Sequence, residues 1–168
     1  MRFTTLLARL VVPATLLALV ACAPAPLYKP SANNTVVSPA QVSQTPEQYS
    51  GRDVIWGGRI VQVNNLADHS EIEVLAYPLD SSQRPKLRGN GDGRFIAILP
   101  GYVESIDYPP GAPITIAGQL NGNRAGKVGE ADYVFPLVKA SQSHRWTAEE
   151  LQSGKVSFGV GVGVGVGR

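Results

Sequence analysis

The sequence predicts an all-β domain: a small, five-stranded, OB-like antiparallel barrel, with a small β-sandwich as the alternative. Five short runs rich in Val, Ile and other apolar residues are separated by turn residues, and no substantial helical pattern lies between them. The chain of 168 residues also contains 18 Gly and 13 Pro, which is typical of short strands joined by tight turns. A closed barrel is favoured because closure removes the unpaired edges that an open sheet exposes.

The predicted barrel domain spans residues 51–146. Its five strands are expected at residues 54–64, 72–79, 94–99, 114–120 and 133–140. Gly57-Gly58 in the first strand predicts a bulge or a close approach of two backbones. Pro78 is expected to end the second strand or mark an edge, and Pro136 to interrupt the fifth.

Composition and charge exclude several classes of protein. With 43% hydrophobic residues the chain is too apolar to be wholly disordered, and it is too short for a barrel enzyme of roughly 250 residues. Arg2 and Arg9 account for the excess of basic residues, so the chain without residues 1–21 has a net charge of zero. This balance gives no support to nucleic-acid binding. One Cys excludes an internal disulfide, and with two His it argues against a structural zinc site.

Residues 1–21 have the organisation of a secretory signal peptide. Arg2 and Arg9 provide a positive start, and the apolar stretch that follows is shorter than the roughly 20 residues that span a membrane. The stretch ends in Leu19-Val20-Ala21-Cys22, which resembles the bacterial lipobox. A thiol can act as the nucleophile that accepts a diacylglyceryl group. We therefore predict Cys22 as the lipidation site, with ordinary signal cleavage and a buried structural Cys as the alternatives.

Lipidation of Cys22 defines the expected location. Additional acyl chains make membrane attachment stable, whereas a single chain binds only marginally. Ala23 follows Cys22 where an Asp would resemble an inner-membrane retention signal, so the outer membrane is the predicted destination. The lack of any other Cys agrees with an oxidising periplasm.

The segments that flank the barrel domain are predicted to be less ordered. Residues 22–50 are interpreted as the lipidated Cys and a flexible linker, because Pro, Ser, Asn, Gln and Thr predominate. Within them, Thr45-Pro46-Glu47-Gln48 predicts one short helical turn with Thr45 as its N-cap and Gln48 reaching back. Residues 147–168 are predicted as a short helix, capped by Thr147 and Glu150, and a Gly-Val tail. We expect this tail to be flexible, with strand addition to a partner as the alternative.

Few side chains suggest ligand binding or catalysis. His69 and His144 are the only imidazoles, and neither has ligand spacing from another His or Cys, so both are expected at the surface or in an interface. Trp56 and Trp146 are predicted to pack in the core, with a stacking platform for a saccharide as the alternative. No metal site and no cofactor are predicted.

The acidic residues and the glycine-rich segment are given structural interpretations. Glu71 and Glu73 share one strand face, which is predicted to be solvated, and Asp80 is expected to pair with Arg84 and brace a loop. Residues 89–93 lack the helix and Lys-Ser/Thr of a phosphate loop and are predicted as a turn. The chain has no Gly-x-Ser-x-Gly sequence, so no catalytic residue is assigned and the protein is predicted not to be an enzyme.

A series of short motifs runs through residues 40–146. They are Gly57-Gly58-Arg59-Ile60, Val63-Asn64, Glu73-Val74-Leu75, Pro78-Leu79-Asp80, Arg84-Pro85, Gly93-Arg94-Phe95, Tyr108, Gly111, Ile114-Thr115-Ile116-Ala117-Gly118, Gly129-Glu130, Tyr133, Pro136 and Trp146. In this order they resemble the starvation-inducible outer-membrane lipoprotein (Slp) family. The resemblance implies a periplasm-facing lipoprotein without established enzymatic activity. Its motifs are spread through the domain and are not concentrated in a pocket, so the resemblance identifies a family but gives no information about chemistry.

We therefore predict a non-enzymatic outer-membrane lipoprotein of the cell envelope, related to starvation or stress. Its expected partner is outer-membrane lipid, through acylated Cys22, and no nucleic acid. The alternative is a periplasmic module that binds a glycan, a lipid or a protein, and a hydrolase is a distant third.

Overall fold

The five predicted strands form a closed barrel in the computed structural model, which describes residues 25–152. The strands are β1 (Asp53–Asn65), β2 (His69–Tyr77), β3 (Arg94–Pro100), β4 (Pro113–Val128) and β5 (Ala131–Arg145). Their order around the barrel is β1-β2-β3-β5-β4, and β4 pairs back with β1. The all-β class and the closed barrel are confirmed, and the sandwich alternative is wrong.

One strand pairing differs from the prediction. β3 and β5 run parallel, with residues 96–98 opposite residues 137–139, whereas the other four pairings are antiparallel. An odd number of strands cannot alternate in direction all the way around a closed ring, so one neighbouring pair must be parallel. The expectation of a wholly antiparallel barrel is therefore wrong at this pairing.

The barrel interior is filled by apolar side chains that alternate along the strands. The buried cluster consists of Val42, Val54, Trp56, Ile60, Ile72, Val74, Ala76, Phe95, Ala97, Leu99, Ile114, Ile116, Leu120 and Val138. Trp56 packs edge-on against Phe95 with ring centroids 5.1 Å apart. The core therefore draws on every strand and on one residue that precedes β1.

Gly57 and Gly58 allow the backbones around β1 to come close together. A Cβ on Gly57 would lie 2.7 Å from the carbonyl oxygen of Ile114, and one on Gly58 would overlap the carbonyl of Leu75. The predicted close approach is confirmed. The bulge in the β1–β2 pairing lies a little further on, between Ile60 and Gln62.

β4 and β5 form a hairpin that is longer than predicted at both strands. Pro136 does not interrupt β5, because it lies opposite Asn123 next to a register shift, where a residue without an N–H is tolerated. Pro78 has its expected effect, since β2 ends at Tyr77.

The segment before β1 folds against the barrel, which corrects the flexible linker predicted up to residue 50. Helix α1 (Pro39–Gln44) is followed by a 3-10 turn (Pro46–Tyr49), and Val42 of α1 is 1% exposed within the core cluster. Ser38 caps α1 by accepting a hydrogen bond from the backbone N–H of Gln41, whose side chain accepts one from the Ser38 N–H. The predicted turn at Pro46 is present, but its cap Thr45 makes no side-chain hydrogen bond.

A second short helix follows β5. Helix α2 (Ala148–Gln152) begins with the predicted capping pair, since the backbone N–H of Glu150 donates to the Thr147 hydroxyl and the Thr147 N–H donates to the Glu150 carboxylate. The Gly-Val tail, the signal peptide and Cys22 lie outside the described residues.

Candidate functional site

The chain first becomes fixed to the barrel at Tyr28. Its backbone N–H donates to the side-chain oxygen of Gln83 at 2.7 Å, and the Gln83 amide nitrogen donates to the Tyr28 carbonyl at 2.8 Å. Burial, with a smaller contribution from Tyr108, raises the pKa of Tyr28 to about 12. Only residues 23–27 separate this contact from Cys22, so the contact lies close in sequence to the predicted lipid anchor.

A chain of hydrogen bonds joins this contact to the barrel. The carbonyl of Gln83 accepts from the hydroxyl of Thr115 at 2.8 Å, and the same hydroxyl accepts from the indole N–H of Trp146 at 2.8 Å. Thr115 is fully buried, and Gln83 has a positive φ of 65°, which non-glycine residues seldom adopt. The arrangement holds the loop between β2 and β3 over the outer surface of β4 and gives Tyr28 a fixed partner.

Both tryptophans are structural. Trp56 is 6% exposed and donates its indole N–H to the Val37 carbonyl at 2.7 Å, and Trp146 is 8% exposed. A stacking platform needs an open ring face, so the core-packing interpretation holds and the saccharide platform is wrong.

A charged cluster connects β2 with the extended part of β4. Arg124 donates two hydrogen bonds to the Glu71 carboxylate, at 2.6 and 2.7 Å, and His69 contacts the same carboxylate at 3.3 Å. Hydrogen bonding to Arg124 lowers the pKa of Glu71, while Asp68, 2.7 Å from His69, raises the pKa of that imidazole, with Glu71 adding to the effect. The sequence does not single out Arg124, because the predicted fourth strand ends at residue 120 and Arg124 follows it among polar residues.

The predicted roles of the acidic residues are partly corrected. The strand face of Glu71 and Glu73 is not solvated, because Glu71 is 5% exposed beneath Arg124 and Glu73 pairs with Arg94 at 2.6 Å. Asp80 does brace its loop, since one of its oxygens accepts from the backbone N–H groups of Ser82 and Arg84. The Asp80–Arg84 ion pair itself is long, at 3.9 Å.

His144 lies in a second small polar group near α2. Its ring nitrogen is 3.1 Å from the Glu150 carboxylate, and the ring packs edge-on against Trp146. Within residues 25–152, no group of three or more His, Cys, Asp or Glu side chains has a geometry that would hold a metal ion. The helices in this same part of the chain are too short or too polar to span a membrane.

A cleft of about 840 Å³ lies between the segment before β1 and the end of β2. This volume is in the range of pockets that hold small molecules. Val37 and Ala40 line one side, Ile55 and Trp56 of β1 contribute to the lining, and Leu79 follows from the loop after β2. The cleft is therefore mainly apolar.

The cleft contains an open position on β1. Asp53 exchanges backbone hydrogen bonds with Asn33 and Thr35, and Gly57 is paired with Tyr77 of β2. Ile55 lies two residues from both Asp53 and Gly57. Because every second residue of a strand directs its backbone N–H and C=O to the same side, those of Ile55 point to the side on which Asp53 and Gly57 are paired. Among the described residues, no backbone hydrogen bond reaches Ile55 on that side. Sequence reasoning missed this position, because it depends on where the preceding segment leaves β1.

Comparisons with known proteins identify similar chains. The model of a family described as outer membrane lipoprotein Slp matches residues 19–161. An uncharacterized protein of Haemophilus influenzae is 40% identical over 97 residues, which cover 57% of this chain and 52% of that protein.

Two Escherichia coli proteins are also similar. The uncharacterized lipoprotein YeaY is 31% identical over 63% of this chain and 54% of its own length. The outer membrane protein Slp is 27% identical over 66% of this chain and 58% of its own length. The chain thus spans a little over half the length of the curated relatives that it matches.

Proposed function

This chain belongs to the outer membrane lipoprotein Slp family, and we propose that it is a non-enzymatic protein held in the outer membrane by lipids on Cys22. The barrel then lies in the periplasm. The observation that carries the proposal is Leu19-Val20-Ala21-Cys22, which lies at the start of the region that the family model matches. Tyr28 fits an anchored chain, because its contact with Gln83 attaches the barrel six residues after Cys22.

The polar groups of the described domain support a structural role. Both imidazoles contact carboxylates, and Glu71 is occupied by Arg124. Such pairs stabilise the fold and leave the carboxylates engaged. We propose that the domain serves the envelope during starvation or other stress, as its family suggests. An immunoblot of growing and starved cells tests this role, and we expect the protein to be more abundant in starved cells.

Mass spectrometry of the protein purified from membranes tests the anchor. We expect a polypeptide that begins at Cys22 and carries the mass of a diacylglyceryl group and an additional acyl chain. Cys22→Ser should carry no acyl mass and leave the membrane fraction, whereas the neighbouring Ala23→Ser should remain acylated. A mature chain that begins elsewhere, or has no acyl mass, would refute the proposal.

A second candidate function is the binding of an extended peptide from an envelope protein. The open position at Ile55 favours it, because a peptide strand can exchange two backbone hydrogen bonds there while its side chains contact apolar groups. Amide hydrogen exchange measured by NMR tests this function with short Val-rich peptides. Bound peptide should slow exchange at Ile55 and leave Ile116, in the β4 core, unchanged. Equal exchange at Ile55 with and without peptide would count against it.

A further inference from the structure

We propose that the loop between β2 and β3 faces the bilayer and binds anionic phospholipid headgroups through Lys86 and Arg88. This inference rests on the proposed lipid anchor at Cys22 and goes beyond it, because it assigns an orientation and a lipid-contact surface to the barrel. Three observations carry it: the position at which the chain is fixed, the exposed cations next to that position, and the way in which the nearby carboxylates are occupied.

The first observation limits the distance between the loop and the membrane. Tyr28 is fastened to Gln83 by two hydrogen bonds, at 2.7 and 2.8 Å. Six residues of extended chain span at most about 20 Å, so Tyr28 must lie within that distance of an acylated Cys22. Gln83 lies one hydrogen-bonded side chain further away. A long flexible linker would permit any orientation of the barrel relative to the membrane. The short connection between Cys22 and Tyr28 instead favours orientations in which the loop between β2 and β3 lies near the headgroups.

The second observation is the charge that the loop presents. Lys86 and Arg88 are exposed, and among the described residues neither forms an ion pair with a carboxylate. Lys86 is three residues from Gln83, which places its Cα within about 11 Å of the fastened position. Leu87, between the two cations, is only half-buried. Lys29, next to Tyr28, adds a third exposed cation near the anchor.

The third observation concerns the acidic groups of this region. Asp80 accepts two backbone N–H groups within its own loop, and Glu150 accepts from Thr147 and contacts His144. Glu149 is exposed on α2. Two of the three carboxylates are therefore occupied locally, which leaves Lys86 and Arg88 available to lipid phosphates. Each basic side chain at an anionic membrane surface favours binding by a factor of about five.

The acylated protein in vesicles provides the test, because acylation blocks the only native thiol and an introduced Cys becomes the single labelling site. Asn90→Cys places a fluorophore on the loop. Glu130→Cys places one on the exposed turn between β4 and β5, at the opposite end of β4 from Thr115, whose hydroxyl bonds Gln83. With nitroxide-labelled headgroups in phosphatidylglycerol-containing vesicles, we expect stronger quenching at residue 90 than at residue 130. Removal of both loop charges, in Lys86→Gln with Arg88→Gln, should lower the equilibrium constant for this orientation by about 25-fold.

Two controls make the outcomes decisive. Lys127→Gln with Lys139→Gln removes the same charge from exposed positions outside the loop and should leave quenching at residue 90 unchanged. Replacing phosphatidylglycerol with phosphatidylcholine should reduce the quenching at residue 90, as Lys86→Gln with Arg88→Gln does. If the protein is acylated but quenching is equal at residues 90 and 130, or equal in the two lipids, the proposed orientation is wrong and the anchor is unaffected. A chain without acyl mass would overturn both.

Discussion

Arg124 and Glu71 form a two-pronged ion pair between strands that are not neighbours in the barrel. The guanidinium of Arg124, on the extended part of β4, meets the carboxylate of Glu71 on β2 at 2.6 and 2.7 Å. β1 lies between these two strands. The side chain of Glu71 is 6% exposed, whereas that of Arg124 is 47% exposed, so the pair is buried on one side only. It fastens the β4–β5 hairpin across the barrel surface.

Replacement of Arg124 by Met is expected to destabilise the barrel by about 1–3 kcal/mol. The substitution keeps an apolar stem but leaves the buried Glu71 carboxylate with His69 as its remaining partner. Chemical denaturation measures the change. Lys127→Met, an exposed position on the same strand, is the matched control and should change the free energy of unfolding by less than about 0.5 kcal/mol. Equal effects of the two substitutions would contradict a stabilising role for the ion pair.

The same cluster predicts a pH dependence through His69. Its pKa is raised above 6.5, first by the hydrogen bond with Asp68 and then by Glu71, so the protonated imidazole is favoured in the folded protein. The resulting stability is fully present below the unfolded pKa near 6.5 and is lost as the pH rises through the higher folded value. Melting temperatures of the wild type and His69→Gln should therefore differ most near pH 6 and converge at higher pH.

NMR titration of the His69 ring supplies an independent measurement of that pKa. A midpoint for His69 at or below 6.5, or a melting difference that grows with rising pH, would contradict the prediction.

Local sequence patterns predict the strands but not the contacts between segments that are far apart in the sequence. All five strands, the end of β2 before Pro78 and the Thr147–Glu150 cap follow from residue type and spacing. The parallel β3–β5 pairing follows from closure with five strands, which is a property of the whole ring and of no single segment. The Arg124–Glu71 pair joins residues 53 positions apart, and the sequence of neither strand predicts contact with the other.

The segment before β1 shows how composition can conceal a fold signal. Residues 38–41, Ser-Pro-Ala-Gln, have a capping-box spacing with Pro at the first helical position, which predicts a helix start. The surrounding Pro, Ser and Asn residues instead favoured a linker. The helix is only six residues long, so its stability must come from packing, chiefly from Val42 in the core. Tyr28 and Gln83 could not be identified in advance, because their contact spans 55 residues.

Ser38→Ala is expected to lower the free energy of unfolding by about 1 kcal/mol, the usual cost of losing an N-cap. The cap matters here because it begins the helix that places Val42 in the core. Thr45→Ala is a matched control, since Thr45 precedes the 3-10 turn without a side-chain cap hydrogen bond and should be close to neutral. Urea denaturation of both variants measures the difference. A neutral Ser38→Ala, or a Thr45→Ala as damaging, would show that the cap does not support the packed segment.

Gln83→Ala is expected to release the chain at Tyr28 and so lengthen the connection between Cys22 and the barrel. The substitution removes two hydrogen bonds of about 1 kcal/mol each, which corresponds to an increase of roughly 30-fold in local opening. Chymotrypsin cleaves after Tyr28 only in the open state, and when reclosing is faster than cleavage, the rate follows the open population. Cleavage after Tyr28 should therefore accelerate, while cleavage after the exposed Tyr102 stays the same. Gln119→Ala, which removes a single exposed amide contact with Gly51, is the control variant. If Gln83→Ala and Gln119→Ala were both cleaved after Tyr28 at the wild-type rate, the attachment of Tyr28 to the barrel would not depend on the Gln83 amide.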